Sequence, residues 1–178
     1  MKIVTFAASN STKSINRALL KYAASFLDSH EIEILDINDF SLPIYSADIE
    51  EKHGVPEAAS RFLKRIEAAD ALLISYAEHN GNYTAAYKNL FDWASREKRG
   101  VYDKKPIVML ATSPGKNGAN SVLTMAKNSA HHYDGTVIAS LSVPSFYETF
   151  DLAKMEIKDE EWKVKLATTL AAFDSSTL

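Results

Sequence analysis

Three stretches of this chain are apolar at almost every position: IVTFAA at 3–8, ALLISYA at 71–77 and PIVMLA at 106–111. A strand with one wet face alternates apolar and polar residues. A strand that is apolar throughout must be covered on both faces, as in a parallel sheet between two layers of helices. Two further β-rich runs, Glu31–Ile37 and Thr136–Leu141, bring the expected strands to five, the others being Lys2–Ala8, Ala71–Ala77 and Pro106–Ala111.

Between these runs the apolar residues fall at helical spacing. Ile15, Leu19, Tyr22, Ala23 and Phe26 form one stripe; Phe62, Ile66 and Ala69, following Pro56, form a second. Tyr87, Leu90, Phe91 and Ala94 form a third, and Val122, Met125, Ala126 and Ser129 a fourth. A last helix is expected over Glu160 to Phe173, burying Trp162, Leu166 and Leu170. Strand and helix in regular alternation predict an α/β three-layer sandwich with right-handed crossovers. Five strands in 178 residues fit a single flavodoxin-like domain, 1–178, with a five-stranded parallel sheet of order 2-1-3-4-5. Leu42–Pro56, with two prolines and Gly54, reads as a long surface connection.

Composition narrows the function. A net charge of −3 argues against a nucleic-acid surface, and the absence of cysteine removes disulfides, thiolate metal sites and cysteine nucleophiles. His131 and His132 are adjacent and point in different directions, so no metal site is expected. The apolar part of MKIVTFAAS is too short for a signal-peptide core, and no run approaches the roughly 20 apolar residues of a membrane helix. A cytoplasmic protein is expected.

In a sheet of this order, ligands sit beyond the carboxyl ends of the strands where the order reverses. The loops that build this edge are SNSTKSIN, EHNGNY and SPGKNG. The first contains no glycine. Ser9, Ser11, Thr12 and Ser14 each offer a hydroxyl, Asn16 an amide and Lys13 a charge, while a helix starting at Ser14 or Ile15 adds free N–H groups and the positive end of its dipole. One reading is an ordinary helix cap by Ser11, Thr12 or Ser14. The whole cluster exceeds what a cap needs, which favours a phosphate site. Without GK[ST] or GxGxxG, a single terminal phosphate fits better than a triphosphate or a pyrophosphate.

AASNSTKSIN resembles the phosphate loop of the NADPH-dependent FMN reductase family, approximately GS-x-R-x-x-S-x-N. Ser9, Ser14 and Asn16 fall on that pattern, whereas Ala8 stands for its Gly and Ser11 for its Arg. The second loop and its helix, ALLISYAEHNGNYTAAYKNLFDWAS, are similar to the family's TPEYN-G-S-x-P-x-x-LKNAIDW. Glu78, Asn80, Gly81, Lys88, Asn89, Asp92 and Trp93 coincide; Ala77 replaces Pro and His79 replaces Tyr.

The resemblance implies a bound FMN whose pyrimidine edge is lined by Glu78, His79, Asn80 and Gly81, with backbone N–H groups of Asn80 and Gly81 facing the ring and Ala77 also among the cofactor-binding residues. For Glu78 a solvated carboxylate, and for His79 a surface position, are the plain alternatives. Lys88 and Asn89 are expected to fix the loop, and Asp92 and Trp93 to be structural. Gly115 and Gly118 of the third loop are expected to turn tightly and pass near the ring, with Ser113 and Gly115 counted among the cofactor-binding residues, or else to form an ordinary turn with Asn120 or Ser121 as helix cap. Tyr147, Glu148, Phe150 and Asp151 read as a substrate rim or a subunit contact.

No side-chain acid, base or nucleophile stands out, which suits a protein whose cofactor carries the chemistry. The resemblance implies an FMN-dependent oxidoreductase, with hydride from NADPH or NADH to flavin N5 and electrons then to a small acceptor: a quinone, azo compound, free flavin, metal oxyanion or nitro compound. It also implies a homodimer or homotetramer. The alternatives are a flavodoxin-like electron carrier that oxidises no nicotinamide, and a relative that has lost its cofactor. Replacing Ser14 and Asn16 by Ala is expected to weaken FMN binding and leave the fold cooperative.

Overall fold

The five long strands are β1 (Lys2–Ala8), β2 (Glu31–Leu35), β3 (Ala71–Tyr76), β6 (Pro106–Thr112) and β7 (Thr136–Val143). In the computed structural model, which describes residues 1–175, they form one parallel sheet of order β2-β1-β3-β6-β7. This is the expected 2-1-3-4-5 arrangement when only the long strands are counted. Residues 176–178 of the expected domain lie outside the described residues.

Period-two alternation divides the strand side chains between two cores. Val4, Phe6, Leu72, Ile74 and Tyr76 face a layer of α3 (Glu57–Glu67), α4 (Ala85–Glu97) and α5 (Asn120–Ala130). Ile3, Leu73, Val108 and Leu110 face α1 (Ile15–Ala24) and α7 (Glu160–Leu170), with α8 (Ala172–Ser175) behind. Helix α3 shows why the pattern works: Ala58, Ala59, Phe62, Leu63 and Ile66 are buried along one stripe, and the charged residues point outward. Each buried Leu, Ile or Phe side chain contributes about 1.5–3 kcal/mol of transfer free energy, which keeps both layers on the sheet.

Differences from expectation concern element ends and one insertion. Strand β2 stops at Leu35 because Asp36 accepts the Asn38 N–H at 3.0 Å and starts a short 3-10 turn, Ile37–Asp39. Helix α1 ends at Ala24, so Phe26 is exposed. In the last helix Leu166 and Leu170 are buried, Trp162 is half-buried, and the helix breaks at Ala171 before α8. The connection Leu42–Pro56 holds a helix, α2 (Ala47–His53), capped by Ser46 and stopped by Gly54 at φ +73°. None of its seven residues is buried, so it carries no apolar stripe for the sequence to reveal.

The long connection is fixed from α4. Asn89 donates to the Pro43 carbonyl at 2.9 Å and accepts the Tyr45 N–H at 2.8 Å, and Trp93 Nε1 donates to Pro43 at 2.8 Å. Lys88 pairs instead with Asp92, one turn along the same helix. The KNLFDW segment therefore acts as a buckle for residues 42–45.

Candidate functional site

The first loop folds as a chain of serine turns. Ser9 Oγ accepts the Ser11 N–H and Ser11 Oγ the Lys13 N–H, each at 3.3 Å. Ser14 is the N-cap of α1 and accepts the Arg17 N–H at 3.2 Å. The cap reading thus accounts for the oxygen of Ser14 and leaves its proton uncommitted. Each oxygen satisfies a backbone donor, and each O–H proton stays available to donate outward. The N–H groups of Ile15 and Asn16, the first two of α1, have no acceptor among the described residues. Lys13 is exposed and has no ion pair among the described residues. Hydroxyls, free N–H groups, a helix dipole and one ammonium on a single concave surface suit an anion.

The Asn16 side chain takes no part in this. It is 2% exposed, and its Nδ2 donates to the Thr112 carbonyl at 3.0 Å. Its Oδ1 accepts the Thr112 N–H at 3.0 Å and the Ser75 hydroxyl at 2.9 Å. All its strong sites but one N–H are engaged, so the amide is a strut between the first loop and the ends of β3 and β6. The side-chain amide expected as a phosphate donor is thus spent mainly on structural bonds, while the backbone N–H of Asn16 is without an acceptor among the described residues.

The second loop is a hairpin of β4 (Glu78–His79) and β5 (Asn82–Tyr83). Asn80 at φ +52° and Gly81 at φ +72° occupy its tip, the left-handed pair that a two-residue hairpin turn requires. The tip is exposed, and Asn80 and Gly81 lie off the cavity wall. Their dipeptide is therefore explained by the turn itself.

Glu78 is half-buried and anchored. Its Oε2 accepts the Val122 N–H at 2.8 Å, in the first turn of α5, whose own N-cap is Ala119 with no side-chain oxygen. A carboxylate from one loop thus caps the helix of the next, where the dipole favours negative charge. Beneath the hairpin, Tyr83 packs on Tyr76 and Tyr87 at ring distances of 5.8 and 5.3 Å. The buried hydroxyls of Tyr76 and Tyr87 lie 3.4 and 3.2 Å from that of Tyr102, and burial pushes the Tyr102 phenol up to about 12. Thr84 ties the hairpin back to β1 by donating to the Ala8 carbonyl at 3.0 Å.

These loops enclose a cavity of about 240 Å³. It brings together Ser9, Ser11, Lys13, Ser14, Ile15 and Asn16 from the first loop, Ala77, Glu78 and His79 from the second, and Ser113 from the third. Thr12 faces a neighbouring groove beside Arg17 and Lys21. Gly115 is off the wall, its carbonyl accepting the Gly118 and Ser145 N–H groups. Thr112 and Pro114 line the cavity without having been singled out, and Tyr147, expected at a substrate rim or a subunit contact, lines it as well. Thr112 and Pro114 flank Ser113 and were within reach of a wider loop boundary. Tyr147 comes from after β7, and nothing local marked which way it would face. Among the described residues no cluster of three metal-ligating side chains occurs, and no helix is long and apolar enough to cross a membrane.

A parallel sheet of this order, with a donor-rich first loop at its carboxyl edge, defines a flavodoxin-like protein. The family model described as NADPH-dependent FMN reductase matches residues 1–168, and the chain belongs to that family. An NAD(P)H-dependent FMN reductase of Pseudomonas aeruginosa is 34% identical over 119 residues, 66% of this chain and 63% of that protein. A 2-hydroxy-1,4-benzoquinone reductase of a Burkholderia species is 30% identical over 158 residues, 88% of this chain and 82% of that protein. Among solved structures, the NAD(P)H:(acceptor) oxidoreductase FerB of Paracoccus denitrificans superposes with a TM-score of 0.75 at 29% identity, covering 97% of this chain and 94% of its own.

Proposed function

We propose that residues 1–178 form a single FMN-binding domain that oxidises NADPH or NADH and reduces a small acceptor of the quinone or flavin type. Membership of the family supports FMN as cofactor and NAD(P)H as co-substrate. The observation that carries the assignment is the set of outward donors at the start of α1, the Ser9, Ser11 and Ser14 hydroxyls and the N–H groups of Ile15 and Asn16, beside a braced hairpin at the same sheet edge.

Bound FMN supplies the hydride and electron chemistry, which is the cofactor's own. The protein's part is to bind and to orient. Hydroxyls of Ser9, Ser11 and Ser14, with the two helix N–H groups and Lys13, hold the phosphate. Ala77, Glu78, His79 and Ser113 flank the rest of the ligand, and the strut at Asn16 keeps the loops in register. The cavity is smaller than the roughly 300–1,000 Å³ of an enclosing ligand pocket. It would suit the phosphate-bearing end of the mononucleotide. A homodimer or homotetramer, located in the cytoplasm and engaging neither nucleic acid nor membrane, completes the proposal.

Anaerobic titration of the FMN-loaded protein tests it. NADPH or NADH should bleach the flavin absorbance near stoichiometry, and a quinone should restore it. Failure of both nicotinamides to bleach a bound flavin would leave the electron-carrier alternative; failure to take up flavin at all would remove both.

A further inference from the structure

The first loop carries Ser11 where the family pattern carries Arg, so its own side chains give a phosphate hydroxyls and one lysine but no guanidinium. On the far wall of the cavity Tyr147 offers a hydroxyl with nothing to bind among the described residues. Tyr147 is 59% exposed, and its hydroxyl has no partner among the described residues, whereas those of Tyr45, Tyr76, Tyr83, Tyr87 and Tyr102 all do.

Its exposure is not looseness. Tyr147 lies in a single helical turn, α6 (Phe146–Thr149), bound to the third loop. Ser145 N–H donates to the Gly115 carbonyl and Phe146 N–H to the Ser113 carbonyl, each at 3.0 Å. Phe146 is fully buried and stacks on Phe150 at 4.8 Å, and Tyr147 meets Phe146 edge-on at 5.4 Å. Lys158 Nζ donates to the Tyr147 carbonyl at 3.0 Å. A firmly held backbone thus keeps an aromatic donor at the rim of the cavity that Ser9, Ser11, Lys13 and Ser14 also line.

Given the FMN assignment above, on which this rests, we infer that Tyr147 donates its hydroxyl to the terminal phosphate of the bound mononucleotide, and that Tyr147 and Lys13 together take over the missing arginine's part. A phenol bonds a phosphomonoester oxygen without being charged, and Lys13 supplies the neutralisation. Two side chains from opposite ends of the chain then close the phosphate site, and the contact selects FMN over its unphosphorylated parent.

Apoprotein titrated with FMN and, separately, with riboflavin provides the test, read by quenching of flavin fluorescence. Tyr147→Phe should weaken FMN binding by ~10-fold or more, as for loss of a hydrogen bond to a charged group, and leave riboflavin binding unchanged. Lys13→Gln should act the same way and lower the salt dependence of FMN binding. Thermal melts of the apoproteins should coincide, because both side chains are exposed. An unchanged ratio of FMN to riboflavin affinity in Tyr147→Phe overturns the inference. So does an equal loss of both flavins in Tyr147→Ala with none in Tyr147→Phe, which would make the ring a stacking surface. Wild-type protein binding neither flavin would defeat the FMN assignment itself, a separately recognisable result.

Discussion

Replacing Asn16 by Ala removes three hydrogen bonds at once. The Thr112 N–H, the Thr112 carbonyl and the Ser75 hydroxyl all lose their partner in a region from which water is excluded. At about 1 kcal/mol net for each bond, the variant should be less stable by roughly 3 kcal/mol. In a chain of this size that lowers Tm by roughly 6–12 °C. Ser75→Ala breaks only one of the three bonds and should cost about 1 kcal/mol, and the double variant should cost less than the sum of the two. Differential scanning calorimetry of the four apoproteins measures all of this. An Asn16→Ala protein melting within about 2 °C of wild type would refute the strut and return the side chain to the ligand. The same geometry changes the meaning of a combined Ser14 and Asn16 substitution. Weakened flavin binding there would report displaced loops as well as lost donors.

Glu78→Ala should lower the urea midpoint at constant m-value, by about 1–2 kcal/mol in stability, while Glu78→Gln, which keeps an acceptor for Val122, should cost less; equal midpoints for all three proteins would show that α5 needs no cap. Gly118 has φ +60°, and a Cβ there would meet the Ser142 hydroxyl and lie 3.0 Å from backbone atoms of Val143 and Pro144. Gly118→Ala should therefore destabilise by about 1–3 kcal/mol, and Gly115→Ala, where the nearest atom is 3.9 Å away, should be close to neutral in the same melts. Tyr102 titrates at about 12 in the folded protein against the ordinary value of 10.0, because burial disfavours its phenolate. The folded state holds that proton more tightly, so its contribution is complete below pH 10 and is lost as pH rises from 10 towards 12. Denaturation at stepped pH should show this alkaline loss, and Tyr102→Phe should show less of it; identical pH profiles would count against it.

The lesson of the sequence lies in which signals were local. Runs such as ALLISYA announce a doubly covered strand because the strand's own neighbours supply the pattern, and the strand order followed from their number and spacing. The stripe of α3 was equally plain, whereas α2 was not, since a helix that buries nothing has no stripe. The first loop stood out as a candidate anion site because hydroxyl donors and a helix start sit within ten residues of one another. His79 lies on the cavity wall, and Asn80 and Gly81, from the same motif, form the hairpin turn beside it.

By itself the sequence determined the layers and the strand order, which depend on spacings of two to four residues, and it pointed to the three loops that carry the proposed site. Only the tertiary structure decided what those loops do to one another. Asn16 bonds Thr112 across 96 positions, Glu78 caps a helix 44 positions away, and Tyr147 reaches a wall built mainly by the first half of the chain. Parallel strands bring their carboxyl ends together however far apart they lie in the chain. Hydrogen bonds made at that edge therefore leave no periodic trace in the residues that form them.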